Sequence, residues 1–362
     1  MSKAAELAAL IGSQTAQSNR NLIINGAMQV AQRGTSSTGV HTSGYYTCDR
    51  YEIVYSNEDE LRQTITQASD GPDGFANSLK IQTTTAESAV ASDERSYVIY
   101  RAEGQDLQQL LYGSSAAKKI TLSFYVKSSV TGTYAVSVYQ EDGNDVVGST
   151  YTINSADTWE KKTITFPANT AASIADDNTA GLAFYWGIML GSDYTSVDNS
   201  AWGEYAANRF FYGHAQNGVA TTINATWQLT GVQLELGEQA TPFEHRSFGK
   251  ELALCERYFW KTYNYDVAPG TSSGASHLTG TPNATTSFFA LQVPNVQMRD
   301  APTRVIYNPN DGTVSEMRSD SSDHTAAITA TSNHGGGAIY ANNSSISANN
   351  FVKAHLTMDA EL

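Results

Sequence analysis

The chain has 362 residues, of which 36 are Asp or Glu and 22 are Lys or Arg, so its net charge is −14 at pH 7. Charged residues make up only 16% of the sequence and no basic stripe is present, which argues against nucleic acid and anionic membranes as partners. No apolar run approaches the roughly 20 residues that cross a bilayer, so membrane insertion is not expected.

The first predicted element is a short helix over residues 4–11, whose Ala, Leu and Ile side chains fall on one face. Because so short a helix is marginal alone in water, it would need a docking surface or copies of itself. We therefore expect residues 1–20 to form an attachment or oligomerisation segment, with a frayed terminus as the alternative. A secretory signal is not evident, so we expect synthesis in the cytosol and release by lysis or assembly.

Residues 21–247 consist of strand-like segments separated by turns. In ITLSFYVKS, the apolar residues Ile120, Leu122, Phe124 and Val126 alternate with other types, which indicates one buried and one solvated face. Many strands at this spacing predict a jelly-roll β-sandwich, with one helical turn near 107–113. The other predicted strands are 45–56, 78–85, 95–104, 133–140, 148–153, 158–167, 182–190 and 222–236.

The remaining residues, 248–362, are predicted to form a linking helix and a smaller C-terminal β-sandwich, which makes the protein mainly β. The helix is predicted over 248–261, with Ser247 as its N-cap and with apolar residues on a wide, mostly buried face. Strands are predicted at 287–294, 303–309, 324–332 and 351–362. Cys48 and Cys255 lie far apart in sequence, and we expect buried free thiols.

Motifs for catalysis are lacking. The sequence has no nucleophile elbow, zinc spacing or phosphate-binding loop, so we assign no catalytic residue, expect no cofactor and do not expect an enzyme. Asp142, Asn144 and Asp145 form a weak candidate for a structural Ca²⁺ site, because this ion binds hard oxygen ligands in loops. A simple Asp-Gly turn is the favoured alternative there.

Aromatic residues offer a clearer lead to a binding function, since the sequence contains 20 Tyr and 5 Trp. Amphipathic rings can stack on the apolar faces of sugars and still present a polar end. The candidate glycan-binding residues are Tyr185, Trp186, Trp202 and Tyr205. About half of the aromatic candidates in a sandwich are expected to be core residues, and Trp202, in a polar loop, is expected to be the most exposed.

Several segments resemble a family of bacteriophage tail-fibre and prophage virion proteins. NLIINGAMQVAQRG and YYTCDRY are similar to the start of these proteins, and TLSFYVKSSVTGTY with TWEKKTITFP is similar to their carbohydrate-binding-module-like sandwich. The strongest similarity lies in TGVQLELGEQATPFEHRSFGKELALCERYFWK, and MRDAPT and HLTMDAEL resemble the family's C-terminal domain. The resemblance covers nearly the whole chain after residue 20.

The resemblance implies a virion appendage, commonly a homotrimer, whose sandwich resembles glycan-binding modules. We therefore expect a tail fibre on the virion that binds a host-surface polysaccharide and contacts other tail or capsid proteins through residues 1–20. One alternative is a capsid or tail decoration protein without a glycan ligand. A second is a glycan depolymerase, although neither a long β-helix nor a cleft with paired carboxylates is evident.

Overall fold

The computed structural model describes residues 20–281, 287–292, 294–319, 322–325, 327–330, 337–342 and 350–362. The helix predicted at 4–11 lies outside these residues. Contacts divide the chain into two compact units, Met1–Gln29 with Ser36–Arg246 and Val30–Thr35 with Ser247–Leu362. The linear division into 1–20, 21–247 and 248–362 stays a prediction. It did not foresee that the short segment Val30–Thr35 belongs to the second unit.

The first unit contains the strands β1 to β13 in chain order. They are β1 (Ser36–Val40), β2 (Gly44–Tyr45), β3 (Tyr51–Ser56), β4 (Arg62–Ala68), β5 (Ser78–Thr85), β6 (Arg95–Glu103), β7 (Ile120–Ser128), β8 (Gly132–Gln140), β9 (Asp145–Ile153), β10 (Glu160–Phe166), β11 (Ala180–Leu190), β12 (Gly203–Glu204) and β13 (Thr226–Leu236). The short helices are α1 (Gly218–Thr221) and the 3-10 turns Gly104–Leu110, Ser192–Tyr194 and Ala207–Arg209.

These strands form two antiparallel sheets around one core. The first sheet has the order β1-β4-β5-β13-β7-β10, and the second has the order β12-β9-β8-β11-β6-β3-β2. The chain changes sheet after β1, β3, β5, β6, β7, β9, β10 and β12. This antiparallel architecture confirms the predicted mainly-β sandwich class.

The alternation in β7 was predicted correctly on its apolar face. Ile120, Leu122, Phe124 and Val126 have no exposed surface and belong to the core between the sheets. The prediction that the other face is solvated was wrong at Thr121, which is also fully buried and donates a hydrogen bond to the Gly237 carbonyl at 2.7 Å. A chain segment covers this part of the sheet, which a period of two cannot reveal.

Two other strand predictions need correction. The segment 45–56 is not one strand, because β2 and β3 are separated by a turn in which Arg50 has a φ of 75°. Strand β4 was not predicted, although its burial alternates, because Gln63 is one of its inward residues. The buried side chain of Gln63 is satisfied by the hydroxyl of Tyr55, which donates to its carbonyl oxygen at 2.7 Å.

The second unit begins with the helix α2 (Phe248–Glu256) and continues in strands. They are β14 (Phe259–Lys261), β15 (Leu278–Gly280), β16 (Ser287–Gln292), β17 (Thr303–Tyr307), β18 (Glu316–Ser319), β19 (Asp323–Thr325), β20 (Ala327–Ala330), β21 (Gly337–Asn342) and β22 (Val352–Asp359). In the described part of this unit, β22 pairs with β14, β15, β17 and β18, while β16, β21 and β20 form a three-stranded sheet.

The helix that follows the first unit is shorter than predicted. Its N-cap is confirmed, since the Ser247 hydroxyl accepts a hydrogen bond from the Lys250 N–H at 3.4 Å. It ends at Glu256, and residues 259–261 form β14, which pairs with residues 357–359. The prediction of a mostly buried helix was wrong, because only Glu251 and Cys255 are buried within it. The pairing partner lies about a hundred residues away, so local periodicity could not reveal it.

Both cysteines are buried thiols that form no disulfide, as predicted. Burial raises the pKa of the Cys48 thiol well above its usual range, so this thiol stays protonated and unreactive. Among the helices that the structure describes, none has the length and apolarity of a membrane span.

Lys261 ties the segment Val30–Thr35 to the rest of the second unit. Its ammonium group is buried and donates hydrogen bonds to the carbonyl oxygens of Gln32, Tyr265 and Val267 at 2.7, 2.8 and 2.7 Å. In Lys261→Met these buried acceptors lose their donor, so we expect the free energy of unfolding of this unit to fall by about 2 kcal/mol. Denaturant titration, with hydrogen exchange of residues 30–35, measures the effect.

Lys250→Met is the matched control, because Lys250 is exposed on α2 in the same unit. We expect it to leave stability within about 0.5 kcal/mol of the wild type. Unchanged exchange of residues 30–35 in Lys261→Met would contradict the role assigned to this lysine.

Candidate ligand-binding site

A second apolar cluster covers the outward face of the second sheet. Residues of β6, β8, β9 and β11 that point away from the inter-sheet core meet residues of the segment that follows β11. The buried members are Tyr97, Ile99, Ala135, Val146, Ala183, Tyr185, Leu190, Tyr194, Phe210 and Phe211. Strand β11 is therefore covered on both faces, which explains why its sequence AGLAFYWGIML is apolar throughout.

An open cleft of about 200 Å³ lies at the edge of this cluster, and we call it the aromatic cleft. Strands β6, β8 and β11 provide its floor, and the segment between β11 and α1 provides one wall. The lining residues are Arg95, Tyr97, Tyr139, Tyr185, Tyr205 and Phe210.

The rings of the cleft hold one another in place. Phe210 lies edge-on to Tyr185 and Tyr205, with ring centroids 4.7 and 5.4 Å apart. Tyr205 also packs edge-on against Tyr139 at 5.7 Å, and Tyr97 packs against Tyr185 at 5.4 Å. Because these contacts fix the rings before any ligand arrives, little conformational entropy is lost on binding.

Three hydroxyl groups of the cleft have no hydrogen-bond partner among the described residues, namely those of Tyr97, Tyr185 and Tyr205. The hydroxyl of Tyr139, in contrast, donates to Asn144 Oδ1 at 2.7 Å. Burial raises the pKa of Tyr97 and Tyr185, so both phenols remain protonated at neutral pH. The cleft thus combines apolar faces with hydroxyl groups that can donate to a ligand.

A polar strip continues from the cleft along the same face of the sheet. Arg101 is on the same face of β6 as Ile99, which is the register partner of Tyr185 on β11. Its Nη1 is 2.6 Å from Glu52 Oε2 and 3.3 Å from the Tyr45 hydroxyl. Burial alone would lower the pKa of Arg101, but Tyr45 and Glu52 raise it above its usual value. The ion pair neutralises the charge of this arginine within the protein.

The structure brings together two of the four sequence-predicted residues. Tyr185 and Tyr205 both line the aromatic cleft, and Tyr205 is 37% exposed. Their role as ligand contacts stays a prediction.

Trp186 and Trp202 lie outside the aromatic cleft, and the prediction that Trp202 is the most exposed of the four was wrong, since it is half-buried and Tyr205 is 37% exposed. Trp186 is adjacent to Tyr185 on β11, so it points to the opposite side of the sheet and is fully buried in the inter-sheet core. Trp202 is half-buried against the same core, where its Nε1 donates to the Pro167 carbonyl at 2.7 Å and its ring meets Tyr112 at 5.9 Å. Neither indole contributes to the cleft.

Sequence reasoning did not find Arg95, Tyr139 or Phe210. The alternation of TYAVSVYQ places Tyr139 on the outward face, opposite the buried Val138, and this signal was available. Phe210 carries no such signal, because it reaches the sheet from an irregular segment. Arg95 begins its strand and gave no reason to be singled out.

The weak Ca²⁺ candidate lies in the turn between β8 and β9. Asp142 Oδ2 accepts a hydrogen bond from the Ala175 N–H at 2.9 Å, and Asp145 Oδ2 accepts one from Asn169 Nδ2 at 2.8 Å. Asn144 Oδ1 accepts from the Tyr139 hydroxyl, and its φ of 51° is typical of a turn residue. These contacts favour the turn. Within the described residues, no group of three or more His, Cys, Asp or Glu is placed to hold a metal ion.

No family model and no curated protein sequence match the chain. Similar solved structures include the enzymatically active domain of tailspike protein 4 from bacteriophage CBA120, with 10% identity and a TM-score of 0.32 over 60% of this chain and 21% of that one. An arabinose-bound α-L-arabinofuranosidase has 11% identity and a TM-score of 0.30 over 57% and 27% of the two chains. The matched region spans about a fifth to a quarter of the length of these two proteins.

A family 11 carbohydrate-binding module from Clostridium thermocellum, in complex with a β-1,3-1,4-mixed-linked tetrasaccharide, is also similar. It has 10% identity and a TM-score of 0.28, and the match covers 58% of this chain and 99% of the module. Similarities at this level do not assign the chain to a family.

Proposed function

We propose that the protein binds a glycan at the aromatic cleft, and that it does so as a virion appendage of the tail-fibre type without cleaving the glycan. The observation that carries the binding function is the cleft itself, where fixed aromatic rings stand beside three hydroxyl groups without a protein partner. A sugar ring presents an apolar face for the exposed ring of Tyr205 and hydroxyl groups for the phenols of Tyr97, Tyr185 and Tyr205.

The virion setting rests only on the resemblance of the segments quoted in the sequence analysis to phage tail-fibre and prophage proteins. In that setting the protein is a homotrimer on the particle, bound to other tail or capsid proteins through residues 1–20, and its ligand is a polysaccharide of the host surface. A single shallow cleft of this size binds weakly, so three copies engaged together multiply the affinity by avidity.

Tyr205→Ala tests the cleft. Because this ring is partly exposed and packs on Phe210 and Tyr139, we expect its loss to weaken glycan binding about tenfold, the equivalent of about 1.4 kcal/mol. The measurement is a glycan array followed by calorimetric titration of the best ligand with the full chain. Tyr185→Phe, which keeps the ring and removes one hydroxyl, is expected to weaken binding as well.

Tyr125→Ala is the matched control, since Tyr125 is a half-buried tyrosine on the first sheet and outside the cleft. Equal loss in Tyr125→Ala and Tyr205→Ala would contradict binding at the cleft.

The alternative functions give different results. Adsorption to no host glycan, with co-purification of capsid or tail proteins, would favour a decoration protein, and release of oligosaccharides would favour a depolymerase. A monomer by light scattering would contradict the homotrimer, and imaging of the labelled virion would locate the protein.

A further inference from the structure

Arg95 is a cation of the aromatic cleft whose side chain has no ion-pair or hydrogen-bond partner among the described residues. It is the first residue of β6, and its guanidinium lies 4.8 Å from the ring centroid of Tyr194. That tyrosine is itself held in place, because its hydroxyl donates to the Asp93 carbonyl at 3.1 Å. The side chain of Arg95 makes no ion pair or hydrogen bond to a described residue, and its Nε is buried.

Other arginines in comparable positions are paired. Arg101, on the neighbouring polar strip, is 2.6 Å from Glu52. Arg33 lines a cleft of about 440 Å³ in the second unit, where it pairs with Asp359 at 2.9 Å and with Glu361 at 3.3 Å. Arg62 and Arg209 are also half-buried without a carboxylate, but each donates to a backbone carbonyl, whereas Arg95 makes no such hydrogen bond to a described residue.

A charge withdrawn from water without a counterion costs free energy, which a ligand with a negative charge recovers. The guanidinium is a planar fork whose paired N–H groups match the two oxygens of a carboxylate. A sugar that carries a carboxylate would therefore place its ring against the tyrosines and its charge on Arg95. A neutral sugar would leave the guanidinium without a partner.

We propose that the aromatic cleft selects an acidic sugar, a hexuronic acid residue within a glycan, whose carboxylate pairs with the guanidinium of Arg95. This inference rests on the proposed glycan-binding function and adds the class of the ligand. The stacking contact comes from Tyr205, whose ring is exposed, and the discrimination between acidic and neutral sugars comes from Arg95.

The test compares uronic-acid oligosaccharides with the same oligosaccharides after reduction of each carboxyl group to a hydroxymethyl group. We expect the full-length wild type to bind the acidic member of its preferred pair at least about tenfold more tightly, the effect of one charge-assisted hydrogen-bonded pair. In Arg95→Gln, we expect the ratio of the two affinities to fall to about one. Circular dichroism confirms that the variant is folded.

Lys161→Gln is the matched control, because it also removes one positive charge, and Lys161 lies near Tyr125 on the first sheet, outside the cleft. It should keep the wild-type ratio of affinities. Equal binding of acidic and reduced oligosaccharides by the wild type would overturn the acidic-sugar assignment and leave glycan binding intact. A preference for sulfated over carboxylated sugars would overturn the carboxylate, and no binding to either series would overturn both the assignment and the proposed function.

Discussion

Replacing Trp186 by Ala is expected to lower the free energy of unfolding of the first unit by about 3–5 kcal/mol, the usual cost of removing a large buried aromatic side chain. The indole has no exposed surface and packs near the rings of Phe124 and Tyr51, with centroids 6.0 and 6.5 Å away. The surrounding strands are fixed by their ladders, so the cavity cannot close fully. Guanidinium titration followed by far-UV circular dichroism measures the loss.

Trp186→Phe separates packing from hydrogen bonding. The Nε1 of Trp186 is buried and has no hydrogen-bond partner among the described atoms, so burying this N–H costs free energy, and phenylalanine removes that cost. We expect this variant to lose only about 1–2 kcal/mol, since it keeps an aromatic ring in the core. If Trp186→Ala kept wild-type stability and lost glycan binding, the ligand role that the structure argues against would have to be restored.

Acidification from pH 6.5 to pH 4 is expected to remove about 3 kcal/mol of stability through His214 alone. This imidazole is buried, and burial lowers its pKa from 6.5 to about 4. Its Nδ1 accepts a hydrogen bond from the Ala135 N–H at 3.2 Å, and its ring meets Tyr134 edge-on at 5.8 Å.

The sign follows from where the proton binds. Between pH 6.5 and 4 the unfolded chain takes up a proton on His214 that the folded chain does not, so unfolding becomes easier as the pH falls. Above pH 6.5 the residue is neutral in both states, and below pH 4 it is protonated in both. Its contribution is therefore present at neutral pH and lost through this window.

His214→Gln is the control, because a glutamine can still accept the Ala135 hydrogen bond and does not titrate. Urea titrations of both proteins at several pH values should show a wild-type curve that falls more steeply between pH 6.5 and 4. Parallel curves for the two proteins would show that His214 does not titrate in this way.

The sandwich could be predicted because its central strands carry their own evidence. Strand β5 was predicted with its observed limits, and the apolar residues of β7 all lie in the core. Strand β4 escaped because one of its inward positions is Gln63, whose burial depends on the distant hydroxyl of Tyr55. Strand β14 was not predicted, because it is defined by its pairing with residues 357–359, which are distant in sequence.

The candidate site shows the same division. Tyr185 and Trp186 are adjacent in a strand that is apolar on both faces, so the sequence could not tell which ring faces outward. Tyr185 faces outward because the segment after β11 packs on that face of the sheet, and Phe210 of this segment lies in irregular backbone. Arg95 could be recognised only once its lack of a partner was visible in three dimensions.

The segment Val30–Thr35 restricts where recombination between related genes can exchange one unit of this protein for another. It belongs to the second unit, where Gln32 Nε2 donates to the Phe259 carbonyl at 2.7 Å and the Gln32 carbonyl accepts from Lys261, yet both of its flanks belong to the first unit. A recombination event that exchanged everything after codon 246 would leave the native residues 30–35 to pack against a foreign second unit. Successful exchange between related genes therefore requires breakpoints that carry residues 30–35 along, or matching changes at Lys261.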